Sequence, residues 1–155
     1  MLRAYTAFHV VISLIGIATG FVVVAGMLTA NPLAGWTAWF LATTMATSVT
    51  GFLFPYRGFK PSYVVGAISV VVLVIAYFAL YGHQLAGHWR WIYVVNAVLA
   101  LYFNVFVLIV QAFQRVPALK AAAPTQKEPP FAIAQLANLV AFVALGVLAV
   151  MRFRV

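Results

Sequence analysis

The sequence predicts an all-α integral membrane protein, a bundle of five transmembrane helices. Three observations carry this reading. Of 155 residues, 66% are hydrophobic and only 6% charged, against about 25% charged in ordinary globular domains. The apolar residues come in runs of about 20, the length that crosses a ~30 Å hydrocarbon core as a helix. Proline, glycine and the few basic residues fall between the runs, where a chain turns at a membrane surface. The spans and short connections use nearly the whole chain, so residues 1–155 read as one transmembrane domain.

The first span covers about residues 4–30. Its basic start, Met1-Leu2-Arg3, has the look of a signal peptide, but the apolar run exceeds the roughly 7–15 residues of a signal core and reads as a true span. His9, Ser13, Gly16 and Gly20 are spaced 4, 3 and 4 apart and share one face. Gly16 and Gly20 let another helix approach closely. They are packing residues, or else the face through which helix one meets a partner protein or a second copy of the chain.

The second span, residues 36–56, opens with Trp36 and Trp39 and carries hydroxyls at Thr37, Thr43, Thr44, Thr47, Ser48 and Thr50. In a membrane helix such hydroxyls bond back to the carbonyl one turn earlier. Pro55 stops it, and Arg57 and Lys60 lie in the loop that Pro61 closes. The third span, residues 62–82, is valine-rich and otherwise marked only by Gly66 and Ser69; its length decides for helix over strand. Tyr81, Trp89, Trp91 and Tyr93 around the following loop form an aromatic belt at the surface.

The fourth span, residues 91–114, is apolar yet carries Asn96, Asn104, Gln111 and Gln114. At about 100° per residue these fall with Tyr93 and Ala100 within roughly 80° of arc, a stripe that faces other helices or a wet cavity rather than lipid. The connection 115–130, RVPALKAAAPTQKEPP, is a polar surface loop with a short helical turn expected around residues 118–123. Pro130 then opens the fifth span, residues 131–151, with Gln135 and Asn138 near its start.

Counting basic residues sets the orientation. With the N-terminus cytoplasmic, that side receives Arg3, Arg57, Lys60, Arg115, Lys120 and Lys127, and the other receives Arg90, Arg152 and Arg154. The positive-inside rule therefore favours an N-in, multi-pass protein of a cell membrane, on the pattern of a bacterial inner membrane, with loop 115–130 cytoplasmic. Arg152 and Arg154 fit this least well, which leaves as the alternative four spans plus a re-entrant or interfacial last helix.

Composition also excludes functions. The net charge of +8 comes from cations placed singly at span ends, the pattern of membrane topology and not of a nucleic-acid surface. There is no cysteine, hence no thiolate ligand or nucleophile. The only acid, Glu128, lies in a loop, so the spans lack the carboxylates that proton- or sodium-coupled transport uses, and the chain reads away from an enzyme. His83 and His88 lie at the end opposite His9. Two axial ligands must share one depth, so no cofactor is expected, and the one haem arrangement left open is a single-histidine one at His9. His83 and His88 have no nearby carboxylate or thiolate to complete a metal site.

Counted inward at about 1.5 Å per residue, His9, Ser13, Thr47, Thr50, Gln111, Gln135 and Asn138 fall in the cytoplasmic half and Asn104 near the middle. Of these, His9, Ser13, Asn104, Gln111, Gln135 and Asn138 are the expected ligand-binding residues of a cytoplasm-facing polar cluster. Length and five-span layout resemble the outer-membrane translocator proteins of the tryptophan-rich sensory type in size alone, and no residue role follows. The function expected is that of a non-catalytic accessory or interaction subunit of a membrane complex. Its alternative is a binder or facilitator of a small lipid-soluble ligand, such as a quinone or lipid, through the polar cluster.

Overall fold

The computed structural model describes residues 1–155 and is helical throughout, with no strands. Its elements are α1 (Leu2–Leu28), α2 (Ala34–Phe52), α3 (Pro61–Tyr77), α4 (Trp89–Arg115), the short α5 (Pro117–Ala122) and α6 (Pro129–Arg152). A π-helical turn, Phe78–Gly82, extends α3. Prolines in the first turn of α3, α5 and α6 fit helix starts, where an amide hydrogen is unpaired anyway.

Four helical stretches are long and apolar enough to cross a membrane: α1, α3 with its π turn, α4 and α6. This is the make-up of a multi-pass membrane protein. The remaining long helix, α2, has 19 residues, about 28 Å at 1.5 Å per residue, and its six hydroxyls hold down its hydropathy. The helix that stands apart from the apolar set is therefore α2 and not the last one. The last helix, α6, is one of the four and runs antiparallel to α4 along its length. Phe131 meets Phe113 edge-on at one end, Phe142 meets Tyr102 in the middle, and Phe153 meets Tyr93 at the other.

α4 is the hub. It packs against α1, α2, α3, α5 and α6, while α3, α2, α1 and α6 follow one another around it and α3 and α6 build no interface together. Its buried side chains, Tyr93, Val94, Ala97, Val98, Ala100 and Leu101, join Phe40 and Leu41 of α2, Leu73 and Ala76 of α3 and Val23 and Met27 of α1 in one core. Between helices in lipid this core is held by close packing, since lipid tails are as apolar as the side chains themselves.

The glycines of α1 show how close the approach is. A Cβ on Gly20 would lie 2.6 Å from Leu101 Cδ1 and 2.9 Å from Phe40 Cε2, and one on Gly16 would lie 3.1 Å from Thr44 Oγ1. This face of α1 is filled by α2 and α4 of the same chain, so a partner or second copy meeting α1 cannot use Gly16 and Gly20. Gly26, which the spacing argument passed over, is tighter still: its Cβ would stand 2.7 Å from the Asn31 carbonyl oxygen. There the Asn31 amide donates to the Gly26 carbonyl at 2.8 Å and that of Ala30 to Met27 at 3.3 Å, with Ala30 left-handed at φ 55°. This is a Schellman closure with alanine where glycine is usual.

Candidate functional site

The six expected ligand-binding residues do not converge on one pocket. Five of them fall into three groups and Gln111 stands apart, a separation that follows from which helix each neighbours.

The first group joins α1 to the end of α2. His9 Nδ1 lies 2.7 Å from Thr50 Oγ1, and Thr50 in turn donates to the Ala46 carbonyl at 2.7 Å. A hydroxyl has one proton to give, so while Thr50 gives it to Ala46 the bond to His9 is one in which Nδ1 donates. Tyr5 donates to the Thr50 carbonyl at 2.7 Å, and Phe54 meets both the Tyr5 and His9 rings edge-on. Ser13 takes no part, since its hydroxyl returns to the His9 carbonyl at 2.6 Å. Depth counting sets Thr50 in the same half of the bundle as His9, but nothing in the spacing of His9 reveals Tyr5 or Phe54 as neighbours, because their partnership is an interhelical one.

The second group sits deeper, where α1, α2 and α4 meet. Asn104 Nδ2 donates to Thr44 Oγ1 at 3.4 Å, above the small Gly16. The other hydroxyls of α2 bond within the helix or its entry turn, Thr43 to Trp39, Thr47 to Thr43, Ser48 to Thr44 and Thr37 to Pro32.

The third group lies on α6. Gln135 Nε2 donates to the Phe106 carbonyl of α4 at 3.2 Å, while its Oε1 is buried without a partner. One turn on, Asn138 is only 7% exposed and its Nδ2 is likewise unpartnered. An acceptor and a donor, both shut away from solvent and both unpaired, thus stand three positions apart on one helix. In proteins a buried amide group without a hydrogen bond costs about 1–3 kcal/mol.

Gln111 belongs to none of these groups. It is exposed and accepts from Arg115 Nε at 3.0 Å, because the α4 stripe emerges from the bundle in its last two turns. Asn96, at the other end of the stripe, donates only to its own helix, to the Ile92 carbonyl at 2.8 Å.

The two principal cavities lie away from all six residues. One, about 260 Å³, is lined by Phe113, Gln114, Lys120, Pro124, Thr125 and Gln126 at the elbow between α4 and the following loop. The other, about 510 Å³, is a shallow apolar groove along Val74, Tyr77, Phe78, Tyr81 and Gly82. Beyond its π turn His83 stacks on Trp89 at 4.0 Å with the rings parallel to 1°. At the same end Arg90 Nη1 donates to the carbonyls of Val150, at 3.1 Å, and Phe153. It thus closes the C-terminus of α6 with a charge that suits the helix dipole. In comparisons with protein-family models, with curated proteins and with solved structures, the chain matches none of them.

Proposed function

We propose that this protein is a non-catalytic accessory or interaction subunit of a membrane complex. It is read as five spans in a bacterial-type inner membrane with the N-terminus cytoplasmic, α2 being the shortest crossing. The observation that carries the reading is the use of the polar side chains within the spans. His9 is engaged by Thr50, Asn104 by Thr44 and Asn96 by its own helix, and Thr43, Thr47, Ser48 and Thr50 of α2 bond back to carbonyls of that helix. Such contacts, worth about 0.6 kcal/mol each, fix helix against helix and leave no converging set of groups for chemistry. The outer faces of α3 and α6 remain uncovered by the chain itself, with Ile133, Leu136, Val140, Val143, Val147 and Met151 of α6 all exposed. Extraction of the chain from its native membrane in mild detergent, followed by native mass spectrometry, tests the reading. A stoichiometric protein partner is expected, and a stable partner-free monomer would refute it.

A second reading is favoured by one observation, the unpartnered Gln135 Oε1 and Asn138 Nδ2. A hydroxyl can donate to the first and accept from the second, so a hydroxyl-bearing lipid-soluble ligand suits the pair. The two readings predict opposite signs for one substitution, developed in the Discussion.

A further inference from the structure

We propose that the elbow after α4 is a headgroup site for an anionic phospholipid. Alternation of the helices brings Arg3, Arg57, Lys60, Arg115, Lys120 and Lys127 to one end of the bundle. The contacts that fix this are Tyr5 on Phe54, Phe52 on Tyr63 and Phe113 on Phe131. The chain's single acid, Glu128, is at this end too, but it is bound up locally. It accepts from the Thr125 hydroxyl at 2.7 Å and from the Lys127 amide at 3.1 Å, and it does not line the cavity.

The cavity itself has the chemistry and the size of a headgroup site. Its lining is polar apart from Phe113 and Pro124, and the lining residues Lys120 and Gln114 are both exposed. Gln126, at φ 59°, donates from Nε2 to the Val110 carbonyl at 3.0 Å, which pins the loop over the last turns of α4. At about 260 Å³ it is below the ~300–1,000 Å³ of pockets that enclose a whole small molecule. It suits a phosphate with its glycerol, the acyl chains remaining outside. Phe113 and Phe131 provide an apolar border beside it, where a chain would leave the headgroup and run along the bundle. A basic residue near an anionic leaflet contributes about 1 kcal/mol of attraction, and Lys120 is the one basic residue on the lining of this recess.

The test is native mass spectrometry of the full-length protein in neutral detergent with an equimolar mixture of phosphatidylglycerol and phosphatidylcholine. Binding in detergent does not depend on membrane orientation or on a protein partner, so its outcome is separate from that of the accessory-subunit reading. The wild type is expected to retain one phosphatidylglycerol in preference to phosphatidylcholine. Lys120→Gln is expected to lower that preference about fivefold, with Lys120→Arg retaining it and the double variant Arg57→Gln, Lys60→Gln leaving it unchanged. Helical circular dichroism confirms that each variant is folded, as expected for exposed side chains. The proposal is overturned if Lys120→Gln binds as the wild type does, or if the loop double variant loses as much. Displacement of the lipid by millimolar inorganic phosphate would equally overturn it, since the recess would then be a free-anion site.

Discussion

Replacing Asn138 by leucine separates the two functional readings by sign. Asn138 is 7% exposed and its Nδ2 faces no acceptor within the protein. Leucine has nearly the same shape and is a better helix former. If the site is dry, the substitution removes an unpaired amide from an apolar seam between α6 and α4. By the ~1–3 kcal/mol that such groups cost, Asn138→Leu should then stabilise the bundle, shifting the folding equilibrium about five- to 140-fold. The assay is reversible unfolding by SDS titration in mixed micelles, followed by tryptophan fluorescence. Gln135→Met serves as the companion: it loses the donation to Phe106, about 0.6 kcal/mol, but relieves the buried Oε1, so a smaller net stabilisation than that of Asn138→Leu is expected. Stabilisation by Asn138→Leu is the expected result. A loss of stability of comparable size would refute the dry-seam reasoning. It would mean that Nδ2 is bonded in the working protein, to a water or to the hydroxyl of a ligand.

Four further outcomes follow from local geometry. Gly20→Ala forces Leu101 and Phe40 from their positions and should cost about 1–3 kcal/mol, the usual price of overpacking. Gly35→Ala, where a Cβ meets nothing within 4 Å, should be neutral in the same SDS titration. Arg90→Met removes a charged donor from the Val150 and Phe153 carbonyls, a loss of about 1.5–3 kcal/mol for bonds to a charged group. Hydrogen exchange should speed up in the last turn of α6, and an unchanged rate there would show that the cap is idle. Glu128 is held below its ordinary value of 4.5 chiefly by the Thr125 hydroxyl bond; desolvation opposes this, and bonds from the Glu128, Thr125 and Lys127 amides add to it. A depressed carboxyl stabilises its loop above its unfolded value and loses that effect as pH falls through its lower folded value. Exchange of the Thr125 and Lys127 amides, corrected for intrinsic rates, should therefore lose protection as pH drops below about 4.5. In Glu128→Gln that pH dependence should be absent.

The membrane class, the helical elements and their approximate limits were legible from composition and run length. The reason is that lipid forces each apolar segment to satisfy its own backbone. Proline and glycine marked the connections for the same local reasons, and even the turn at Pro117–Ala122 was visible in the loop. The polar stripe of α4 identified the hub, because carboxamides and small residues gather where other helices pack. Which groups meet was a tertiary decision. His9 faces Thr50 and Tyr5 because α1 and α2 form an antiparallel hairpin, and Gly16 lies under Asn104 because α4 crosses both. Gln111, on the same stripe, stands exposed beside Arg115 because the neighbours at its depth, Gln126 and Phe131, pack on other sides of α4. Depth along a helix can be counted in a sequence, whereas azimuth relative to unseen neighbours cannot. A cluster inferred from depth alone therefore divided into three once the helices took their places around α4.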